Sequence, residues 1–416
     1  MISTWQADRS IAETIAGLER SRARVEVPIQ SAIGRVLAVD IIADRDQPPF
    51  DRVAMDGIAL ALHDHQVDVP TDFRIDGRLA PGQAAPEGAT RSESGSAIEV
   101  MTGAALPSPW NAVVPWEDLS RLAAESPCYR LRPHARYERG MNIHRRASDY
   151  RQGDILLTAG ARLQAPDIHI LASVGCQHVP VLPLPRIFLL ATGDELVAVG
   201  ATPASHQIRM SNMATIGACL ERAGLVVLSS DHCSDRKDVL ARALARALGT
   251  SDVTLISGAV SKGSRDFVPA VLSDLGCTRV FHGVAHKPGK PLWFGTSPQQ
   301  GLVFALPGNP VSSLVCFVRY VLPHLRAWGQ GWPGPDHAPD CLLLPLVAPV
   351  ATAPDYTLLL PAEITRRSDG TDGLRVRKSG GSGNYAGLLP SHGIAEIPAR
   401  ATPIPEATPL RFFPWP

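Results

Sequence analysis

Apolar positions along the chain follow two rhythms, and the change between them divides the sequence. Ile11, Ile15 and Leu18 recur at i, i+4 and i+7 behind Ser10-Ile-Ala-Glu13, a capping-box spacing that predicts an amphipathic helix. In Gln47–Gly57, Pro48 and Pro49 forbid helix, and the Asp56-Gly57 ending suits a turn. Between about 58 and 147, short β-like runs (Ala97–Met101, Ala112–Pro115, Tyr129–Arg132) alternate with Gly/Pro breaks, which predicts a small, mostly β domain.

From about 185 the rhythm becomes strand–helix alternation. The apolar run Ile187–Ala191 ends in Thr192-Gly-Asp-Glu195 and precedes a helical pattern at about 213–223 (Ile216, Leu220, Ala223). A run at Leu225–Leu228 is followed by a second helical pattern through Val239, Leu240, Ala243, Leu244, Ala247 and Leu248. Val253–Ile256 leads into Ser257–Ser264 and a helix over Phe267–Leu275; Leu302–Leu306 leads into Pro307–Pro310 and a helix to about Leu325. Such alternation predicts a parallel sheet with helices on both faces.

Gly329–Pro339 reads as a linker by its Gly/Pro content. The runs Leu342–Leu346, Tyr356–Leu360, Leu374–Val376, Ile394–Ile397 and Leu410–Phe413 then predict a small β-barrel or sandwich. The expected fold class is α/β plus β in several domains. Residues 1–50 with 148–184 form an elongated N-terminal and linker domain, and 51–147 an inserted, mostly β domain. Residues 185–328 form the central parallel-sheet α/β domain, and 329–416 a C-terminal β-barrel-like domain.

Composition narrows the function classes. Lys+Arg and Asp+Glu each count 40, so the broad positive field of a nucleic-acid or membrane-surface binder is not expected. The seven cysteines (Cys128, Cys176, Cys219, Cys233, Cys277, Cys316, Cys341) are scattered without a C-x-x-C pair, which fits reduced thiols rather than a disulfide framework or zinc site. With no signal-peptide pattern and no apolar stretch of about 20 residues, a soluble cytoplasmic protein is expected.

In an open α/β sheet, ligands bind beyond the carboxyl ends of the strands. Three Gly-bearing loops fall there: Thr192–Glu195, Ser257–Ser264 and Pro307–Pro310. Glycines admit close backbone approach, and helix N-termini favour anions. Lys287 and Lys290 flank the turn in His286-Lys-Pro-Gly-Lys-Pro291 and supply fixed cations. These features point to a phosphate-bearing small ligand, without a P-loop or a dinucleotide fingerprint.

Asp194, Glu195, Asp235 and Asp266 gather on the same loops. Singly, each reads equally well as a helix cap or dipole partner. Together, beside lysines and glycines, they suit Mg²⁺ bound with a phosphate. His282/His286 and His63/His65 have spacings into which zinc can be read, but His282 and His286 fall on an extended run that sends i and i+4 to no shared helix face. Ser257 and Ser261 lack the G-x-S-x-G elbow of a serine hydrolase. Phe317 and Tyr320, on a strongly apolar helix, read as core or dimer contacts.

These segments also carry a resemblance. In order, they are Pro48–Gly57, Met101-Thr-Gly-Ala104, Gly140-Met-Asn-Ile143, Ala191–Leu196, Ser257-Gly-Ala-Val-Ser261, Lys287-Pro-Gly-Lys-Pro291 and Leu306–Ser312. They resemble the successive signatures of the MoeA/gephyrin E-domain family of molybdopterin molybdenumtransferases over nearly the whole chain, including the tail with Ser382-Gly383.

The resemblance implies a four-domain, elongated homodimer whose central domain binds molybdopterin. Family members insert molybdate into adenylated molybdopterin and release AMP with Mg²⁺, handing product to a recipient molybdoenzyme or cofactor chaperone. By the same resemblance, Gly193, Glu195, Asp235, Ser257, Gly258, Ser261 and Asp266 are pterin-nucleotide and metal contacts, with Asp266 and Glu195 as the metal holders. Lys287, Lys290, Pro291 and Ser312 match oxyanion or phosphate positions, and Gly308, Asn309 and Ser382 complete the cofactor-binding set. Asp56, Thr102 and Asp149 join the catalytic set with Glu195, Asp235 and Asp266; similar positions in the family reach across the dimer.

Several residues depart from the family pattern. Arg209-Met210-Ser-Asn212 replaces Tyr-Asp-Ser/Thr-Asn, Ala259 replaces the second Gly of Gly-Gly-Val-Ser, and Ser264 stands where an acid is common. His144 interrupts an arginine run, and the tail strand Tyr356–Leu360 lacks the arginine often found there. Met210 and Ser264 remove negative charge and Lys262 adds positive charge, so a more anion-attracting pocket is expected. Two readings stay open: the transferase, and a non-catalytic molybdopterin carrier or chaperone. Mg²⁺-dependent AMP release separates them. A peptide-binding scaffold lacks the long disordered linker it would need, and the matching terminal domains argue against a competence-damage nucleotide hydrolase.

Overall fold

The computed structural model describes residues 1–17, 24–62, 71–84, 91–122, 127–133, 135, 137–260, 266–328, 341–378 and 380–416. Its first helix, Thr4–Gly17, starts earlier than the Ser10 capping box predicts. Ser3 and Gln6 form the box instead: Ser3 N–H donates to Gln6 Oε1 at 2.8 Å, and Gln6 N–H to Ser3 Oγ at 3.2 Å. The same spacing occurs twice, and the earlier copy prevails because the longer helix also carries Ala7 into the core beside Ile11 and Ile15. Leu18 lies outside the described residues, as do His63, His65, the 329–339 linker and residues 261–265, which include Ser261, Lys262 and Ser264.

The chain divides into two compact units, Val25–Val181 and a second formed by Met1–Arg24 with Leu182–Pro416. In the first, a six-stranded sheet runs in the order Ala112–Pro115, Gly57–Leu60, Ser96–Val100, Asp72–Leu79, Cys128–Leu131, Leu119–Arg121. Its pairs are antiparallel except Asp72–Leu79 with Ser96–Val100. Val25–Pro28 pairs with His178–Val181 and Ile41–Ile42 with Ile155–Leu157, over a small core that includes Leu37, Leu163 and Leu171.

In the second unit the central sheet runs Val227–Cys233, Ile187–Thr192, Val253–Ser257, Leu302–Leu306, Trp293–Thr296, Thr278–His282. The first four strands are parallel, as the alternation predicts, and Trp293–Thr296 runs antiparallel to both of its neighbours, Leu302–Leu306 and Thr278–His282. The reason is connection length: residues 283–292 between Thr278–His282 and Trp293–Thr296 leave no room for a crossover helix. The edge strand also begins two residues later than the apolar run Leu225–Leu228 and continues to Cys233, with half-exposed and exposed positions alternating.

Helices cover both faces. Thr4–Gly17, Ser211–Arg222 and Pro310–Cys316 share one core with Ile187, Leu189, Leu255 and Phe304. Lys237–Thr250 and Val268–Asp274 pack on the other face against Phe188, Leu190, Ile256 and Val303. Pro310–Cys316 continues through a π turn, Phe317–Val321, into Leu322–Arg326, and Phe317 and Tyr320 are fully buried. A second six-stranded sheet runs His286–Lys287, Thr357–Arg366, Gly393–Ile397, Pro409–Pro414, Leu342–Pro345, with Asp372–Val376 pairing Thr357–Arg366. It curls towards a barrel, because Leu346 bridges Leu374 and Val347 N–H donates to Leu374 O at 3.0 Å.

A buried ionic network ties this unit together. Arg319, with no solvent exposure, donates to both Asp8 oxygens at 2.8 and 2.7 Å and to Glu396 Oε2 at 2.6 Å. These residues come from the first helix, the π turn and the tail sheet. Arg411 approaches Glu396 at 3.2 Å, and the Arg319 guanidinium stacks on Tyr320 and Phe413. All seven cysteines are free, and among the described residues no helix is long and apolar enough to cross a membrane.

Candidate functional site

The parallel strands of the central sheet end at a cleft of about 1460 Å³ within the second unit. Two glycines on the loops around it are required by the backbone. At Gly258, with φ +108°, a Cβ would lie 2.6 Å from Thr192 O. At Gly193 the requirement is the backbone conformation, φ +151°, which an L side chain rarely adopts. The loops thus lie backbone against backbone: Gly258 N–H donates to Leu306 O at 3.1 Å, and Gly193 N–H to Cys233 O at 3.3 Å. Ala259 takes the left-handed conformation at φ +52°, which costs an L-residue about 1 kcal/mol.

Asn212 fastens two of these loops through one amide, donating to Ser257 Oγ at 3.0 Å and Gly308 O at 2.8 Å. It is a cleft residue that no local sequence pattern marks. Its place in the first turn of Ser211–Arg222, opposite the Gly-bearing loops, is apparent only in the fold. That helix has no side-chain cap, since Met210 offers no strong acceptor. The Pro310–Cys316 helix also lacks one: Asn309 Nδ2 instead donates to Ser382 Oγ at 2.8 Å, joining the α/β part to the tail.

The cleft lining carries both signs of charge. Glu195, Asp235 and Asp266 line it, as do Lys287, Lys290 and Arg209. Burial, then the charges of Asp194 and Glu195, push the Asp235 carboxyl above its ordinary range. Its Oδ1 is buried without a hydrogen-bond partner among the described residues. No group of three or more acidic, histidine or cysteine side chains among those residues is arranged to hold a metal by itself. The Lys287 and Lys290 ammonium groups lie 4.4 and 5.6 Å from the Tyr356 ring centroid. His286 is fully buried beside them, and burial pushes its imidazole down to about 4.

Most of the expected site residues therefore share one cleft: besides the acids and lysines, Ser257, Gly258, Pro291, Gly308, Asn309, Ser312 and Ser382 line it. Met210 and Ala259, two of the departures, line it too. Gly193 does not; its carbonyl accepts from His232 Nε2 at 2.8 Å, so it shapes the loop from behind. Ser261 falls outside the described residues.

Asp56, Thr102 and Asp149 belong to the other unit. Thr102 donates both its N–H and its hydroxyl to Asp56 Oδ1 at 2.7 Å, which holds that carboxyl below its ordinary range. Antiparallel pairing sets Arg52 opposite His144. Arg52 can only donate, so His144 Nδ1 accepts from it at 2.9 Å, and Nε2–H donates to Asp149 Oδ1 at 2.8 Å.

Comparison with known proteins gives concordant results. Residues 2–175 match the MoeA N-terminal region (domain I and II), and residues 188–327 match a probable molybdopterin binding domain. A Synechocystis protein named molybdopterin molybdenumtransferase is 34% identical over 388 residues, covering 93% of this chain and 94% of that one. A Synechococcus elongatus protein of the same name is 37% identical over 312 residues, 72% of this chain and 74% of its own. The solved structure of a molybdopterin biosynthesis MoeA protein from Pyrococcus horikosii superposes with a TM-score of 0.79 at 26% identity, covering 100% of this chain and 99% of that one.

Proposed function

The chain belongs to the molybdopterin molybdenumtransferase family, and on that premise we propose that it inserts molybdate into adenylated molybdopterin with release of AMP. The observation that carries this reading is the cleft itself, where Gly-bearing strand ends, carboxylates and paired lysines line one cavity. The Gly-bearing loop at Gly308 suits close approach of a phosphate, and Lys287 and Lys290 suit an oxyanion.

The cleft carboxylates fit a divalent cation held with substrate oxygens. Asp235 carries a buried oxygen without a hydrogen-bond partner among the described residues, and its repulsion by Asp194 and Glu195 is what a cation relieves. Mg²⁺ takes one or two carboxylates with substrate oxygens, so a full protein cage is not required. In this reading Asp266 and Glu195 hold Mg²⁺, which when bound supplies charge neutralisation on the phosphates. Lys287, Lys290, Pro291 and Ser312 receive molybdate. Gly193, Ser257, Gly258, Ser261, Gly308, Asn309 and Ser382 form the pterin-nucleotide bed. An oxygen of molybdate or water attacks phosphorus as the bond to AMP breaks, and the protein contributes positioning and fixed charge. The finer parts of the proposal are a cytoplasmic homodimer and catalytic roles for Asp56, Thr102 and Asp149.

The test is AMP release from adenylated molybdopterin on adding molybdate and Mg²⁺, alongside Asp266→Ala. Release that needs both ions, and falls at least about 100-fold in the variant, supports the transferase with Asp266 as metal holder. Tight pterin binding with no release makes the protein a carrier.

A further inference from the structure

Lys287 and Lys290 lie three residues apart on one turn, and two ammonium groups brought to one subsite repel each other. The face of Tyr356 opposes that repulsion: its centroid is 4.4 Å from Lys287 Nζ and 5.6 Å from Lys290 Nζ. Backbone pairing puts the ring there. His286 and Lys287 form a parallel ladder with Thr357 and Leu358, and Thr357 N–H donates to Ala285 O at 3.0 Å. The tail sheet thereby adopts the lysine loop as its edge strand.

The loop backbone is fixed from its other side. His286 Nδ1–H donates to Pro288 O at 2.8 Å. At Gly289, with φ +102°, a Cβ would stand 2.5 Å from Cys316 Sγ and 2.8 Å from His286 Cε1. With the backbone held, the remaining freedom lies in the long lysine side chains, which line the cleft while Tyr356 does not. The tail strand carries no arginine at this point, so it adds organisation rather than charge.

We propose that Tyr356 is a positioning residue that sets the affinity of this subsite for a doubly charged tetrahedral oxyanion, by gathering both ammonium groups over one ring face. The proposal deepens the transferase reading and rests on it for the identity of the anion. Phenylalanine preserves the ring face; leucine preserves apolar bulk and removes it.

The experiment is calorimetric titration of the purified full chain with molybdate alone, comparing wild type, Tyr356→Phe and Tyr356→Leu. The expected result is affinity within about twofold of wild type for Tyr356→Phe, and a loss of about five- to tenfold for Tyr356→Leu. In turnover, Tyr356→Leu raises the KM for molybdate by the same factor and leaves kcat and the KM for adenylated molybdopterin within about twofold. Equal molybdate affinity in Tyr356→Leu, equal loss in Tyr356→Phe, a joint rise of both KM values, or no molybdate binding by wild type overturns it. Failure of wild type to release AMP sinks the transferase reading but leaves the calorimetric comparison readable.

Discussion

Where the cleft is bounded by Thr192–Glu195, Ser257–Gly258 and Pro307–Asn309, backbone rests on backbone, and Asn212 bolts two of the loops together. Where it is bounded by Lys287–Pro291, buried side chains do the holding: His286 grips Pro288, Tyr320 stacks on His286 at 5.4 Å, and Arg319 joins Asp8 to Glu396 in the same core. The first wall follows from strand ends and small residues. The second depends on ionisable groups taken out of water, so it is the more sensitive to single substitutions and to acid.

Breaking the second wall at its base has the largest expected effect. Arg319→Met leaves Asp8 and Glu396 buried without their shared cation, and a loss of about 3–5 kcal/mol in chemical denaturation is expected. A loss below about 1 kcal/mol would show that solvent reaches those carboxylates in solution.

Acid comes next. The folded-state value of His286, about 4, lies below its ordinary 6.5, so between them the unfolded chain binds the extra proton. The stability this provides is complete above about 6.5 and is lost as pH falls towards 4, at up to about 1.4 kcal/mol per pH unit for each such histidine. His324, pushed down to about 3 by burial, adds to the same slope. Denaturation midpoints measured across that window should fall less steeply in His286→Leu than in wild type. Parallel slopes would remove His286 as the acid-sensitive element.

On the backbone-built wall the expected changes are smaller and of opposite sign. Ala259→Gly relieves the left-handed alanine and should stabilise by about 0.5–1 kcal/mol, as melting reads, even though glycine loosens the unfolded chain. Destabilisation would mean that the Ala259 methyl contributes more through packing than its strain costs. The smallest effect is expected at Asp235. Its raised folded value means the folded state holds the proton more tightly, so stability declines as pH rises through the window above the unfolded value. Asp235→Asn should therefore be the more stable protein near neutral pH without added metal, and the difference should close in acid. Solvent screening of this partly exposed carboxyl keeps it small.

Much of the site was legible because strand ends followed by glycine, and lysines flanking a Pro-Gly turn, are local patterns. Ser257-Gly258, Pro307-Gly308 and Lys287–Lys290 could be found without knowing their neighbours. Asn212 could not, because its partners are 45 and 96 residues away and its amide is generic until Gly308 O stands 2.8 Å from it. The helix start was misread for the converse reason: Ser3 and Ser10 carry the same local signature, and burial of Ala7 decides between them. Asp8, Arg319 and Glu396 gave no signal at all, since single charged residues 311 and 77 positions apart look like surface until they meet in the core.

The sequence by itself determined the family, the strand–helix alternation and the chemical character of the cleft, because each rests on residues close together in the chain. Tertiary structure decided which side chains hold those loops in place. It turned Trp293–Thr296 antiparallel to both of its neighbours, carried the lysine loop into the tail sheet and set Tyr356 beside two cations. Hydrogen-bond register, burial and ring stacking act between residues that only the fold brings together, so no local pattern could encode them.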